Sequence, residues 1–352
     1  MITWLAVLSA LLWGIVSPDW GRASVTGACD DCHVMHFSQV GLVPAQLLAL
    51  GAGPQEHLLN NTCLGCHTGT NTGLVNATPM VYTTGATELA GGNFKYSDIT
   101  NQRYGHNPGE LDGGADITLL TPPGWKTGFL ANGQVGTINN GVAATRLRCA
   151  GTYGCHGQHS DTGIYGSHHN HPTSASGINA AATTTGNSYR FLYQIKGYED
   201  ADYEASDSTT NHNVYYGVVR GSDTPTDTQT MSYLCAECHG IFHSDGGGAN
   251  EGVAGASFAS PWIRHPVDIS MPSPGSGDFS GYTTYRTEAP VASTTLTTAQ
   301  HTTATTSVAG ANNRIVMCLS CHRAHASPYH SSMRWDNRAS NAGCAYCHTA
   351  KD

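Results

Sequence analysis

CDDCHVMH, residues 29–36, opens a series of six places where a pair of cysteines is followed directly by a histidine. C-x-x-C-H is the pattern of covalent c-type haem attachment. Four further copies keep the same spacing: CLGCH (63–67), CAECH (235–239), CLSCH (318–322) and CAYCH (344–348). A sixth is expanded, CAGTYGCH, from Cys149 to His156. Together they use all 12 cysteines of the chain. Exported proteins form disulfides and Cys/His sets bind zinc, yet neither chemistry explains a histidine after every second cysteine. Covalent haem is therefore expected at Cys29, Cys32, Cys63, Cys66, Cys149, Cys155, Cys235, Cys238, Cys318, Cys321, Cys344 and Cys347. The proximal iron ligands are then His33, His67, His156, His239, His322 and His348.

In the expanded motif both thioethers must still reach fixed vinyl positions, so the inserted residues bulge outward. Gly151 and Gly154 suit a tight, positive-φ turn there. The competing arrangement is a disulfide between Cys149 and Cys155, which leaves five haems instead of six.

The second axial ligand of each iron has to come from elsewhere. Of the 19 histidines, thirteen lie outside the proximal set, whereas there are only seven methionines including the initiator. That supply favours bis-histidine coordination throughout, hence low-spin iron, no open site, and an electron carrier, not an enzyme. The best candidates for distal ligands are His36, His106, His169, His243, His265 and His325, with His168 and His212 as weaker ones. His106 in RYGHNPG and His265 in WIRHPVD each sit close to a proline that stiffens the backbone. His36, His243 and His325 follow a proximal histidine by three or four residues, too close to cross to the far side of their own haem. Each is expected to serve a neighbouring haem.

The rest of the chain is rich in glycine (42 residues) and poor in amphipathic windows. VPAQLLAL (43–50) reads as a short helix, and YRFLYQIKG (189–197) and HNVYYGVV (212–219) as strands or irregular extended pieces. Such a chain cannot offset its conformational entropy by side-chain burial alone. The expected fold is mostly irregular coil with few short helices and strands, wrapped around a continuous run of haems. The acidic stretch EDADYEASD (199–207) reads as a solvated loop, and the Thr-rich segment 282–307 as surface. A net charge of −9 argues against nucleic acid as a partner.

At the N-terminus MITWLAVLSALLWGIV is an apolar run of signal-peptide length, with Gly21 and Ala23 at cleavage-site positions. We expect a signal peptide over 1–23, a single multihaem domain over 24–352, and no membrane span in the mature chain. Pro18 and Asp19 end the apolar run too early for a comfortable span. Export is independently required, because haem is attached to paired cysteines outside the cytoplasm.

The opening C-x-x-C-H-x-M-H, the segment CLSCHRAHASP (318–328), RHP at 264–266 and the closing CHTAKD together resemble the filament-forming extracellular hexahaem c-type cytochromes of metal-reducing bacteria, the nanowire cytochromes. The expanded third motif and the SHHNHP cluster depart from that pattern. The resemblance implies subunits joined end to end, with their haems stacked in one chain. It further implies that His36 ligates the iron held by Cys318, Cys321 and His322 of a neighbouring subunit. Redox partner proteins, metal oxides or electrodes would receive the electrons, at the cell surface or beyond. A monomeric periplasmic shuttle and a multihaem reductase are the alternatives, the second disfavoured by the ample histidine supply. Intact mass of the purified protein should exceed that of the processed chain by six haems; five haems and two oxidised thiols would identify the disulfide form.

Overall fold

A computed structural model describes residues 63–72, 78–97, 101–111, 122–123, 147–160, 178–221, 224–242, 265–272, 277–340 and 342–350. Among the described residues regular structure comes in fragments: strands of two or three residues, two short helices and a series of 3-10 turns. The chain is mostly irregular, as its composition demands. The expected signal peptide, the first motif, the 43–50 segment and His36, His168, His169 and His243 lie outside the described residues.

β1 (Thr68–Gly69) leaves the second motif and pairs in parallel with β2 (Tyr82–Thr83). β3 (Arg148–Ala150) and β4 (Gly154–His156) are the two arms of the expanded motif. The largest assembly is a six-stranded sheet from β5 (Ile178–Asn179), β6 (Gly197–Tyr198), β7 (Val214–Tyr216), β8 (Ile269–Ser270), β9 (Ala292–Ser293) and β10 (Ile315–Val316). Its order is β5-β6-β7-β9-β10-β8, antiparallel except where β7 meets β9.

Successive strand residues point to opposite faces, and β10 shows what that does here. Ile315 packs on one side with Tyr189, Leu192, Ile195, Tyr215 and Ala292. Val316 packs on the other with Met271, Tyr282, Tyr285, Val291 and Val308. Both faces are covered, so even two-residue strands contribute core. From Val316 the chain runs through buried Met317 straight into Cys318, so the sheet positions the fifth motif. α1 (Met231–Ala236) does the same for the fourth: the Thr230 side chain accepts the Tyr233 N–H at 3.1 Å, and Met231 and Tyr233 are buried.

Three local expectations change. Within 189–197 the chain turns back on itself, with Arg190, Phe191 and Gln194 at φ of 50°, 58° and 69°, and only Gly197 enters a strand. The Thr-rich segment is only partly surface: its threonines are exposed or half-buried, but Tyr282, Tyr285, Val291, Ala292 and Gln300 are buried. Apolar and aromatic residues spaced among the threonines supply the packing. Its polar groups are satisfied internally: Gln300 closes a capping box on α2 (Thr298–Thr302), and Ser293 donates to Asn313 at 2.6 Å. The acidic stretch is only half solvated. Residues 206–210 are exposed, but Asp200 and Glu204 are buried. The Glu204 carboxylate accepts the Asn213 N–H at 2.6 Å, and the Asp200 carboxylate accepts the Glu204 N–H at 3.0 Å.

Burial raises the Glu204 carboxyl from its ordinary 4.5 to about 7. The unfolded chain releases this proton near 4.5 while the folded chain keeps it. The group's contribution to stability is full below about 4.5 and is lost as pH rises through about 7. Glu204→Gln keeps an acceptor for Asn213 and removes the titration, so its denaturant midpoint should fall less than that of the parent across this window.

Candidate haem-binding sites

At the four described motifs of standard spacing the backbone makes the same turn. The carbonyl of the first cysteine accepts the N–H of the second cysteine at 3.2 Å and of the histidine at 2.9–3.0 Å. Positions i, i+3 and i+4 of a helical turn share one face. Both thiols and the imidazole of each motif therefore present themselves to one planar group.

The expanded motif reaches a similar end by another route. Arg148 lies opposite Gly154 and Ala150 opposite His156, with Gly151 at φ +80° turning the chain between the arms. Gly154 serves a different purpose from the one expected: its φ is not left-handed, but a Cβ there would lie 2.4 Å from the Ala150 nitrogen. Cys149 sits with Cys63 and the Glu110 carboxylate, their ligand atoms within 4.8 Å of one another. Cys155 faces elsewhere, toward Glu237 and Cys238. The two thiols are not joined and have different neighbours.

Successive motifs adjoin in chain order. Cys63 lies beside Cys149; Cys155 neighbours Cys235 and Cys238; Cys235 neighbours Cys318; Cys321 neighbours Cys347 and Cys344. His106 and Cys155 both carry accessible surface, yet burial lowers the His106 pKa and pushes the Cys155 thiol up to about 11.

Each described proximal histidine is oriented through Nδ1. His67 donates to the Pro79 carbonyl at 2.7 Å, His156 to Arg190 at 2.9 Å, His239 to Pro123 at 2.6 Å and His322 to Ser331 at 2.8 Å. His348 faces the Asp278 carboxylate at 3.2 Å. These oxygens only accept, so the proton sits on Nδ1 and Nε2 keeps its lone pair for a metal.

Three of these rings have a second imidazole opposite. Ring centroids are 6.3 Å apart for His156 and His325, 6.1 Å for His239 and His106, and 6.3 Å for His348 and His265. Two metal–imidazole bonds of about 2 Å placed end to end, with the two ring radii added, give about this separation. His325 thus faces the proximal histidine of the third motif, not its neighbour His322. His106 and His325 are held by one piece of structure: the His106 N–H donates to the His325 carbonyl at 2.8 Å, the Ser327 N–H to Tyr104 at 3.0 Å, and His106 Nδ1 to Ala324 at 2.6 Å. His265 Nδ1 donates to Pro266 at 2.8 Å. The His325 ring stacks on Phe94, centroids 4.6 Å apart, and burial pushes its pKa down to about 3, keeping it neutral.

The weaker candidate His212 is placed in a different setting. It is fully buried, stacked on Tyr285 at 3.5 Å, with Nδ1 on the Asn213 carbonyl and Nε2 on the Ser307 hydroxyl. Both nitrogens are engaged within the protein core. His159 lies 3.7 Å from Glu237, but burial raises that carboxyl to about 8 and lowers the histidine, so the contact is between neutral groups at pH 7. The orienting carbonyls and Asp278 were not among the residues picked out from sequence: a backbone oxygen carries no residue signature, and Asp278 lies in a Gly/Ser-rich turn far from any motif.

Residues 311–352, which hold the last two motifs, match the family model of the doubled CXXCH motif. The chain is 27% identical over 376 residues to the C-type cytochrome OmcS of Geobacter sulfurreducens, an alignment covering 88% of this chain and 78% of that one. The chain is similar to the c-type cytochrome OmcS. Two solved structures show a looser likeness: the Outer Membrane Cytochrome S filament of the same organism, 22% identical over 90% of this chain and 84% of that one with a TM-score of 0.43, and the OmcS nanowires, 24% identical over 89% and 84% with a TM-score of 0.44. Both scores are low; the motifs and the sequence relative carry the likeness. No helix among the described residues is long and apolar enough to cross a membrane.

At Gly105 a Cβ would lie 2.3 Å from the Ala326 Cβ and 2.4 Å from the His325 oxygen. Gly105→Ala should force apart the segments that carry His106 and His325, and two haems should turn from low-spin to high-spin in the absorption and EPR spectra. Gly221→Ala, where nothing lies within 4 Å, should leave both spectra unchanged.

Proposed function

We propose that this protein carries electrons over long distances outside the cell, through six c-type haems in a self-assembled filament. The observation that supports this most directly is the adjacency of the five described motifs in chain order, from Cys63 to Cys347. A carrier confined to one exchange needs one accessible centre; a conductor needs every centre to adjoin the next. OmcS, to which the chain is similar in sequence, has been solved as a filament.

In the proposed ligand scheme His325 completes the site of His156, His106 that of His239 and His265 that of His348. The remaining distal seats, opposite His33, His67 and His322, fall to the candidates outside the described residues, with His36 reaching His322 of a neighbouring subunit. Bound haem would supply one-electron chemistry at potentials set by axial ligands, hydrogen bonds and burial. The chain's own contribution would be to fix each imidazole by a second hydrogen bond and to supply a histidine on each side of the bound group, leaving no seat for a small substrate. With no open coordination position the protein acts as a carrier and not as an enzyme. The leader over 1–23 would direct export, and the charge of −9 is compatible with metal oxides, electrodes or redox proteins as acceptors, not nucleic acid.

Electron microscopy of the native secreted protein should show filaments; discrete particles alone at physiological concentration would instead identify a shuttle. His36→Ala should keep the full haem count and lose filament growth. Normal filaments from that variant would remove the intersubunit ligand from the scheme.

A further inference from the structure

Asp278 stands apart from the other groups that orient the proximal histidines. At the second, third, fourth and fifth motifs the acceptor for Nδ1–H is a neutral carbonyl; at the sixth it is this carboxylate, 3.2 Å from His348 Nδ1. The placement is built, not incidental. The Asp278 carbonyl accepts the Thr349 hydroxyl at 3.2 Å and the Ala350 N–H at 3.1 Å. The Gly281 N–H donates back to the Thr349 hydroxyl at 2.7 Å, so the turn holding Asp278 is latched to the two residues that follow His348. Phe279 lies against the same imidazole, with ring centroids 4.9 Å apart, and His265 sits opposite at 6.3 Å.

We infer that Asp278 sets the potential of the haem on the sixth motif, holding it below those whose proximal histidines donate to carbonyls. The inference rests on the bis-histidine reading proposed above. The contact is longer than those to the carbonyls, 3.2 Å against 2.6–2.9 Å, but its acceptor is a carboxylate, whose charge draws the Nδ1 proton toward it. The imidazole becomes a stronger electron donor through Nε2, which stabilises ferric over ferrous iron. The negative charge itself acts in the same direction. Both side chains are partly exposed, at 27% and 37%, so solvent screens the effect and an intermediate size is expected. Among the five described motifs the sixth would then be the last to be reduced, next to the fifth through Cys321 and Cys347.

The test uses the full haem-loaded protein. Asp278→Asn is isosteric, keeps an oxygen for His348 Nδ1 and leaves the backbone latch intact, whereas Asp278→Glu restores the charge. In a spectroelectrochemical titration, one couple of Asp278→Asn should move positive by about tenfold in its reduction equilibrium, which is about 59 mV for one electron. One low-spin EPR component should move with it, and Asp278→Glu should return both toward the parent values. Unchanged couples with all haems present and low-spin would overturn the role of Asp278 while leaving the electron-carrier reading intact. The same shift in both variants would also overturn it, since loop disturbance, not charge, would then be the cause. Absence of haem from Cys344 and Cys347 in the parent protein, read by peptide mass, would defeat the underlying ligand scheme instead.

Discussion

The hydrogen bond from histidine Nδ1 to a fixed oxygen is the constraint on which the rest of this structure depends. The backbone turn around each cysteine pair is local and could form in a short peptide. What the motif itself lacks is the acceptor: Ser331 and Pro79 lie 9 and 12 residues beyond their histidines, and Arg190, Asp278 and Pro123 come from 34, 70 and 116 residues away. Much of the irregular backbone exists to deliver those oxygens. An imidazole fixed at Nδ1 has one ring orientation and one free nitrogen, and once that direction is set, the histidine opposite is set as well.

This explains why the fold has so little regular structure and yet a definite core. A strand or helix commits its carbonyls to a ladder, whereas a turn leaves them free to accept from side chains. The six-stranded sheet is the exception that holds the pieces in register, with Ile315 and Val316 buried on opposite faces and the fifth motif continuing from the same strand. Elsewhere turns and close backbone approaches serve, as where Gly105 meets Ala326.

The sequence made the attachment chemistry plain because it is written in side chains: twelve cysteines, each pair closed by a histidine. It also pointed to His106, His265 and His325, since proline neighbours and short spacings restrict where a ring can go. Which histidine faces which could not be read, because those pairs join segments far apart in the chain. Burial was misjudged where composition misled. Threonines between Tyr282 and Ser307 suggested surface, but the tyrosines, valines and alanines among them determine the packing. The acidic run 199–207 suggested solvent, but Glu204 and Asp200 are enclosed by backbone donors from both sides.

The bridge between residues 104–107 and 324–327 also bears on the order of assembly. The hydrogen bond from His106 to Ala324 spans 218 residues, and the same bridge sets the imidazoles that face His156 and His239. The middle of the molecule therefore cannot be completed until the fifth motif has emerged. With export as proposed, the chain would cross its membrane from one end, and during transit the central cysteines would remain on an open, unpacked polypeptide. Long-range contacts of this kind form slowly, and under the proposed haem scheme the delay would keep the described central attachment sites accessible until the C-terminal segment arrives.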